Sequence, residues 1–202
     1  MKLVGRIRPG AGIPFPFRTI LASRYNGPVP FAIRDYEPAD FETLWRIDQD
    51  CFPPGISYSR AELKFYMRRR GSFTLLAVES AQSATAAPDS GTDKKDSPRI
   101  PLPNGVAGFL VAEGDGGSGH IITIDVLGAA RRSGVGSLLL RAAEDRLRVA
   151  QCRSVELETA VDNFSALAFY KRHGYDVIKT FLRYYSNGVD ALVLEKDLGS
   201  FS

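Results

Sequence analysis

The sequence predicts an α+β fold in three layers (α/β/α), with a mixed central sheet and helices on both of its faces. Three observations carry that expectation. Apolar segments of strand character, such as Phe73–Glu79, Val106–Glu113 and Ser154–Thr159, alternate with segments whose apolar residues recur at helical spacing. The C-terminal half reads helix, strand, helix, strand, strand, which joins a βαβ unit to a hairpin. Between the halves, strand-like Ile121–Val126 leads through Arg131-Arg132-Ser133-Gly134-Val135-Gly136-Ser137 into a helix-like run from Leu138 to Val149.

Composition bounds the rest. A chain of 202 residues has material for one domain with a real core, and 44% hydrophobic with 24% charged residues is ordinary for a soluble globular protein. No apolar run approaches the roughly 18 residues of a membrane span, so no membrane association is expected. Cys51 and Cys152 are the only cysteines and read as small buried residues rather than a disulfide framework, which fits the cytoplasm. His120 and His173 are the only histidines, too few for the common His-rich catalytic metal sites, so no metal is expected. Lys2, Arg6, Arg8, Arg18, Arg24 and Arg34 occur with no acid among them. Residues 1–30 are therefore a basic N-terminal extension: an arm for an acidic partner, or a leader or edge covering. Direct nucleic-acid binding is not expected.

The domain is expected over residues 31–198. Phe31–Arg34 forms a short strand. Pro38 and Asp40 introduce a helix bearing Phe41, Leu44, Ile47 and Cys51 on one face, with Trp45 in the core. Phe52–Tyr58 is a rigid loop, and Ser59 with Glu62 makes a capping box for a helix through Met67, ended at Gly71. After the strand Phe73–Glu79, residues 80–104 hold almost nothing large to bury and read as a flexible insertion between hairpin strands. Val106–Glu113 and Ile121–Val126 are strands joined by the glycine-rich Gly114–Gly119. Leu138, Leu139, Ala142, Leu147 and Ala150 line one face of the next helix. Ser154–Thr159 alternates, with Val155 and Leu157 inward and Glu156 and Glu158 outward. Asn163–Arg172 is a short helix, N-capped by Asn163, C-capped at His173 and stopped by Gly174. Tyr175–Tyr185 and Ala191–Glu195 form a hairpin around Ser186-Asn187-Gly188. Tyr184 and Tyr185, consecutive in a strand, would point to opposite faces.

The glycine turn is the strongest chemical signal. Gly134 and Gly136 would let the backbone approach a ligand and adopt positive φ. N–H groups from Arg132 to Ser137 would meet a phosphate at a helix N-terminus, with charge from Arg131 and Arg132. Spacing alone leaves a packing role for the glycines open. A Walker A loop is absent, and the dinucleotide fingerprint is incomplete.

Arg131-x-x-Gly134-x-Gly136 after a strand resembles the acetyl-CoA motif of the GCN5-related N-acetyltransferases. Glu158, Asn163, Ala166, Phe169-Tyr170 and Gly174-Tyr175 resemble that family's second motif region. Arg183–Leu192, together with Phe52-Pro53 and Tyr58, is similar to the branch that acetylates protein N-termini, including bacterial ribosomal-protein acetyltransferases. The chain departs from the family in having Leu127-Gly128 where a proline commonly follows the central strand. The resemblance implies that two parallel central strands splay and admit acetyl-CoA. Ile124, Asp125 and Val126 would pair with pantetheine, with an N–H near Val126 polarising the thioester. The pyrophosphate would sit on Arg132, Ser133, Gly134, Val135, Gly136 and Ser137, flanked by Arg131, and Asn163 would cap its helix and contact the cofactor.

Catalytic roles follow from the same resemblance. Glu158 would accept the amine proton directly or through water, with Asp125 as the weaker rival; otherwise Glu158 is a solvated strand residue. Tyr170 would donate to the departing CoA sulfur, or else pack as Phe169 does. No cysteine is placed to carry an acyl group, so transfer would be direct through a ternary complex. Phe52, Pro53, Tyr58, Tyr184 and Tyr185 would line a groove for a protein or peptide N-terminus. The alternatives are a small-molecule amine acceptor and a noncatalytic CoA-binding interaction domain.

Overall fold

The computed structural model describes residues 31–80, 102–185 and 188–199. The basic extension, most of the 80–104 insertion and the Ser186-Asn187 turn lie outside the described residues.

The alternating and continuous apolar segments become a seven-stranded sheet. Its strands are β1 (Phe31–Asp35), β2 (Ser72–Glu79), β3 (Val106–Gly114), β4 (Ser118–Val126), β5 (Ser154–Ala160), β6 (Asp176–Phe181) and β7 (Ala191–Asp197), in spatial order β1-β2-β3-β4-β5-β7-β6. All neighbours are antiparallel except β4 and β5, which α3 (Val135–Val149) links as a parallel βαβ crossover. On one face Leu138, Leu139, Leu140, Ala143 and Leu147 of α3 pack on Leu110, Ile121, Val155, Leu157 and Leu194, with Tyr170 of α4 (Phe164–Arg172) beside them. On the other, α1 (Phe41–Cys51) and α2 (Arg60–Met67) bury Phe41, Leu44, Ile47 and Leu63 against Leu76, Val106, Phe109 and Val111. The three-layer architecture expected from the sequence is the one observed.

Local chemistry sets the element ends. Ser59 accepts from Glu62 N while the Glu62 carboxylate accepts from Ser59 N at 2.9 Å, the reciprocal box that starts α2. Gly119 faces α3 so closely that a Cβ would sit 2.6 Å from Leu147 Cδ1, so a side chain here would force the buried Leu147 to move.

Three details differ from expectation. The α3 face is completed by Ala143 and Glu144 rather than Ala150, which is exposed. Trp45 is only half-buried: Arg60 lies over its ring at 3.6 Å, and its Nε1 donates to Tyr58 O at 3.1 Å. The strand β6 stops at Phe181, so Tyr184 and Tyr185 belong to the β6–β7 connection and do not alternate across a sheet.

One irregularity shapes the site. In the β3–β4 ladder Val111 faces Thr123 while Ala112 faces Ile121, which leaves Ile122 as an extra residue in β4. The bulge re-aims the strand. Ile121 packs with α3, whereas Thr123 and Asp125 share the α1–α2 face with Val111 and Phe109.

Candidate active site

Strands β4 and β5 pair only at Ser118↔Ser154, Gly119↔Val155 and His120↔Glu156; beyond these, β4 continues to Val126 and β5 to Ala160 as the two diverge. Leu127 N donates to Ala107 O at 3.1 Å, which fixes the parity of the main chain. Asp125 therefore turns its backbone toward β3, against Gly108, while Ile124 and Val126 turn theirs into the fork. The Asp125 side chain is fully buried and accepts from Thr123 Oγ1 at 2.6 Å. It thus neither faces solvent nor offers the fork an edge, unlike Ile124 and Val126. The Val126 carbonyl accepts from Arg131 Nε at 3.1 Å and from Cys51 Sγ at 3.4 Å. Cys51 is therefore half-buried at the fork rather than sealed in the core, and burial, with Asp125 nearby, pushes its thiol up to about 11.

The glycine turn opens α3 at the mouth of this fork. Gly134 is the N-cap with φ 90°, a left-handed conformation that favours glycine, and Arg132 also takes positive φ at 64°. Gly136 does not: it lies in the first helical turn, where a Cβ would meet the Phe169 ring at 3.5 Å, an ordinary contact distance. Ser133 Oγ donates to Ala130 O at 2.6 Å and so ties the turn back on itself. The helix ladder starts with Leu138 N donating to Gly134 O at 2.9 Å, so the N–H groups of Val135, Gly136 and Ser137 point out along the axis. Free N–H groups at the start of a 15-residue helix have the geometry that can receive an anion.

On the α1–α2 face, at the point where the strands part, Glu158 meets His120. Their Oε2 and Nε2 atoms lie 2.7 Å apart, with side chains 22% and 32% exposed. Burial alone would disfavour the imidazolium. The hydrogen bond to Glu158 and the charges of Glu158, Glu113 and Glu156 outweigh it and raise His120 above its ordinary 6.5. Glu158 is thus a partnered carboxylate, not a solvated strand residue.

Tyrosines surround the pair. Tyr184 senses the charges of Glu158 and Tyr66, and Tyr185 those of Tyr184 and Glu158; burial first, then these neighbours, pushes each phenol up to about 12. Tyr184 stacks on Phe181 at 5.8 Å and meets Tyr185 edge-on at 5.2 Å. From the opposite wall, Tyr58 contacts Tyr66 edge-on at 5.2 Å. Tyr58 is more deeply set than a groove wall requires: it is buried, and its hydroxyl donates to Ile122 O, the bulge residue, at 3.4 Å. Pro53 is exposed and Phe52 half-buried on the same loop. Tyr170 lies on the α4 side, buried, with its phenol raised by burial and then by the charges of Asp125 and Tyr185. It remains a proton donor across the physiological range. Asn163 caps α4, its Oδ1 accepting from Ala166 N at 3.2 Å.

A splayed parallel pair, a helix start with open N–H groups at its mouth and a carboxylate–imidazole pair at its fork together suit an acyl donor on one side and an amine on the other. The model of the acetyltransferase (GNAT) family matches residues 41–175, which contain all of these parts except the β6–β7 connection. The chain belongs to that family. Among curated relatives, an uncharacterized N-acetyltransferase of Methanocaldococcus jannaschii is 37% identical over 92 residues, 45% of this chain and 59% of that protein. An N-alpha-acetyltransferase of Sulfurisphaera tokodaii is 36% identical over 81 residues, 40% of this chain and 48% of that protein. The matches thus span about half the length of these relatives. Among solved structures, the Ard1 protein of Thermoplasma volcanium superposes with a TM-score of 0.67 over 85% of this chain and 99% of that one, at 24% identity, which is a likeness of fold.

For this GNAT chain, sequence reasoning singles out Glu158 and Tyr170 but not His120 and Tyr66, which the structure sets beside Glu158. Tyr66 lies one helical turn after the buried Leu63, a spacing that marks the same face. His120 stands in β4 just before the bulge, and its register opposite Glu156 depends on a pairing between distant segments.

Proposed function

We propose that this protein is an acetyl-CoA-dependent N-acetyltransferase whose acceptor is the α-amine of a protein or peptide N-terminus, with ribosomal proteins among the candidates. The observation that carries this reading is the His120–Glu158 pair at the fork between β4 and β5. Family membership and the name of the Sulfurisphaera relative support it.

Acetyl-CoA would enter from the α3 side, with its pyrophosphate on the N–H groups of Val135, Gly136 and Ser137, and Arg131 and Arg132 nearby. Pantetheine would pair with the Ile124 and Val126 backbones, and the Val126 N–H would face the thioester oxygen. The acceptor amine, with pKa about 8, arrives largely as an ammonium ion. Its proton passes to the His120–Glu158 pair, directly or through water, and the free amine attacks the thioester carbonyl. Collapse of the tetrahedral adduct breaks the C–S bond, and Tyr170 donates to the departing thiolate. Phe52, Pro53, Tyr58, Tyr66, Tyr184 and Tyr185 enclose the N-terminal residue. Asn163 acts mainly as the α4 cap.

The test compares CoA release from acetyl-CoA with a peptide bearing a free N-terminus and the same peptide formylated there. Release only with the free terminus supports the proposal; equal release, or release only with small amines, overturns the choice of acceptor. CoA binding without release with any amine would identify a noncatalytic domain.

A further inference from the structure

The His120–Glu158 pair stands on a row of ionisable side chains that crosses the open sheet face at one height. Glu113 of β3 is opposite His120, His120 is opposite Glu156 of β5, Glu156 is opposite Glu195 of β7, and Glu195 is opposite Asp176 of β6. Directly opposed residues of neighbouring strands share a face, about 5 Å apart. One imidazole is therefore set among carboxylates. The Glu113 end is neutralised: Arg69 Nε lies 3.1 Å from its carboxylate. From α2, Tyr66 adds only a neutral phenol, and from the β6–β7 connection so does Tyr184. Among the described residues no comparable cation faces Glu156, whose partner across the ladder is the carboxyl of Glu195. Among the described residues, these groups do not converge as metal ligands would.

We infer that Glu156, backed by Glu195, is a positioning residue for His120: the negative charge it holds beside the imidazole makes the His120–Glu158 pair a stronger base for the incoming ammonium. Two neighbouring carboxyls that share a proton still carry one net charge, so the effect survives partial protonation of the Glu156–Glu195 pair. A stronger base takes the ammonium proton with less uphill free energy, at the cost of staying protonated to higher pH. The inference rests on the His120–Glu158 pair being the base.

The test reads His120 directly and then its consequence. The chain has two histidines, so a His173→Gln background assigns the His120 ring signal in an NMR pH titration. Glu156→Gln is expected to lower the His120 midpoint by about half to one pH unit. The acid limb of kcat/KM should move down by the same amount, and the high-pH plateau should fall about two- to threefold as the base weakens. Glu195→Gln should move the midpoint in the same direction by less, and Glu156→Asp should keep it near the parent value. A purely structural role would lower activity without moving either midpoint. An unchanged His120 midpoint in both Gln variants overturns the inference. A midpoint that moves while the acid limb stays in place instead overturns the assignment of the base.

Discussion

In the proposed reaction Glu158 and Tyr170 divide the proton work between them. Glu158→Gln keeps the shape of the pair but removes the carboxylate that accepts from His120 and raises its basicity. It should lower kcat by about 10²-fold or more, with acetyl-CoA affinity unchanged by calorimetry. Tyr170→Phe deletes only the donor to the leaving sulfur. It should slow transfer on the order of tenfold while leaving the acetyl-CoA Kd alone; equal losses in both would remove its acid role. The pH dependence has a definite sign. Because His120 is raised above 6.5, its base form is lost as pH falls through that higher value, so kcat/KM should decline on the acid side from above pH 6.5. A decline confined to the carboxylate range, in a pH-rate profile with a free-amine peptide, would show that Glu158 works without the imidazole.

At the scale of elements, the start of α3 and its far end do different jobs. Gly134 holds a left-handed φ of 90° at the N-cap, so Gly134→Val strains the turn that presents the open N–H groups. CoA affinity should fall on the order of tenfold, because such a strained position costs about 1–3 kcal/mol. Farther along α3, buried Glu144 accepts from Tyr175 Oη at 3.2 Å and from Lys196 Nζ at 2.7 Å, which ties α3 to β7. Lys196→Met should cost about 1–3 kcal/mol in urea unfolding, since it leaves a buried carboxylate short of its cation. A change within error would mean that Arg148, at 3.7 Å, already suffices. Helices were legible from sequence because local signals end them, namely the Ser59–Glu62 box, the Asn163 cap and Gly174. The end of β6 and the placement of Tyr184 and Tyr185 were not, because the exposed strand β6 has no buried face to reveal where pairing stops.

Over the whole molecule, the three-layer fold could be read from the sequence, and the candidate residues of the turn, Glu158 and Tyr170 could be named there because they lie in continuous motifs. The acceptor side depends on contacts between segments far apart in the chain. His120 meets Glu158 across 38 residues, and the Ile122 bulge that sends Asp125 into the α1–α2 core exists only in the β3–β4 register. Gly136 shows the opposite limit: its spacing from Gly134 suggests a second positive φ, yet it sits in the first helical turn of α3 with room for a Cβ beside Phe169. Phe52–Tyr58 and the described part of the β6–β7 connection face one fork, so in the proposed reaction donor binding and acceptor choice would reside on opposite faces of one sheet. The most direct measurement of this division is acetylation of a mixed peptide library with acetyl-CoA, the modified nitrogen being located by mass spectrometry and Glu158→Gln serving as comparison. The proposed reaction places a single acetyl group on peptide α-nitrogens, lost in the variant; acetyl on lysine side chains alone, or on no peptide at all, would contradict it.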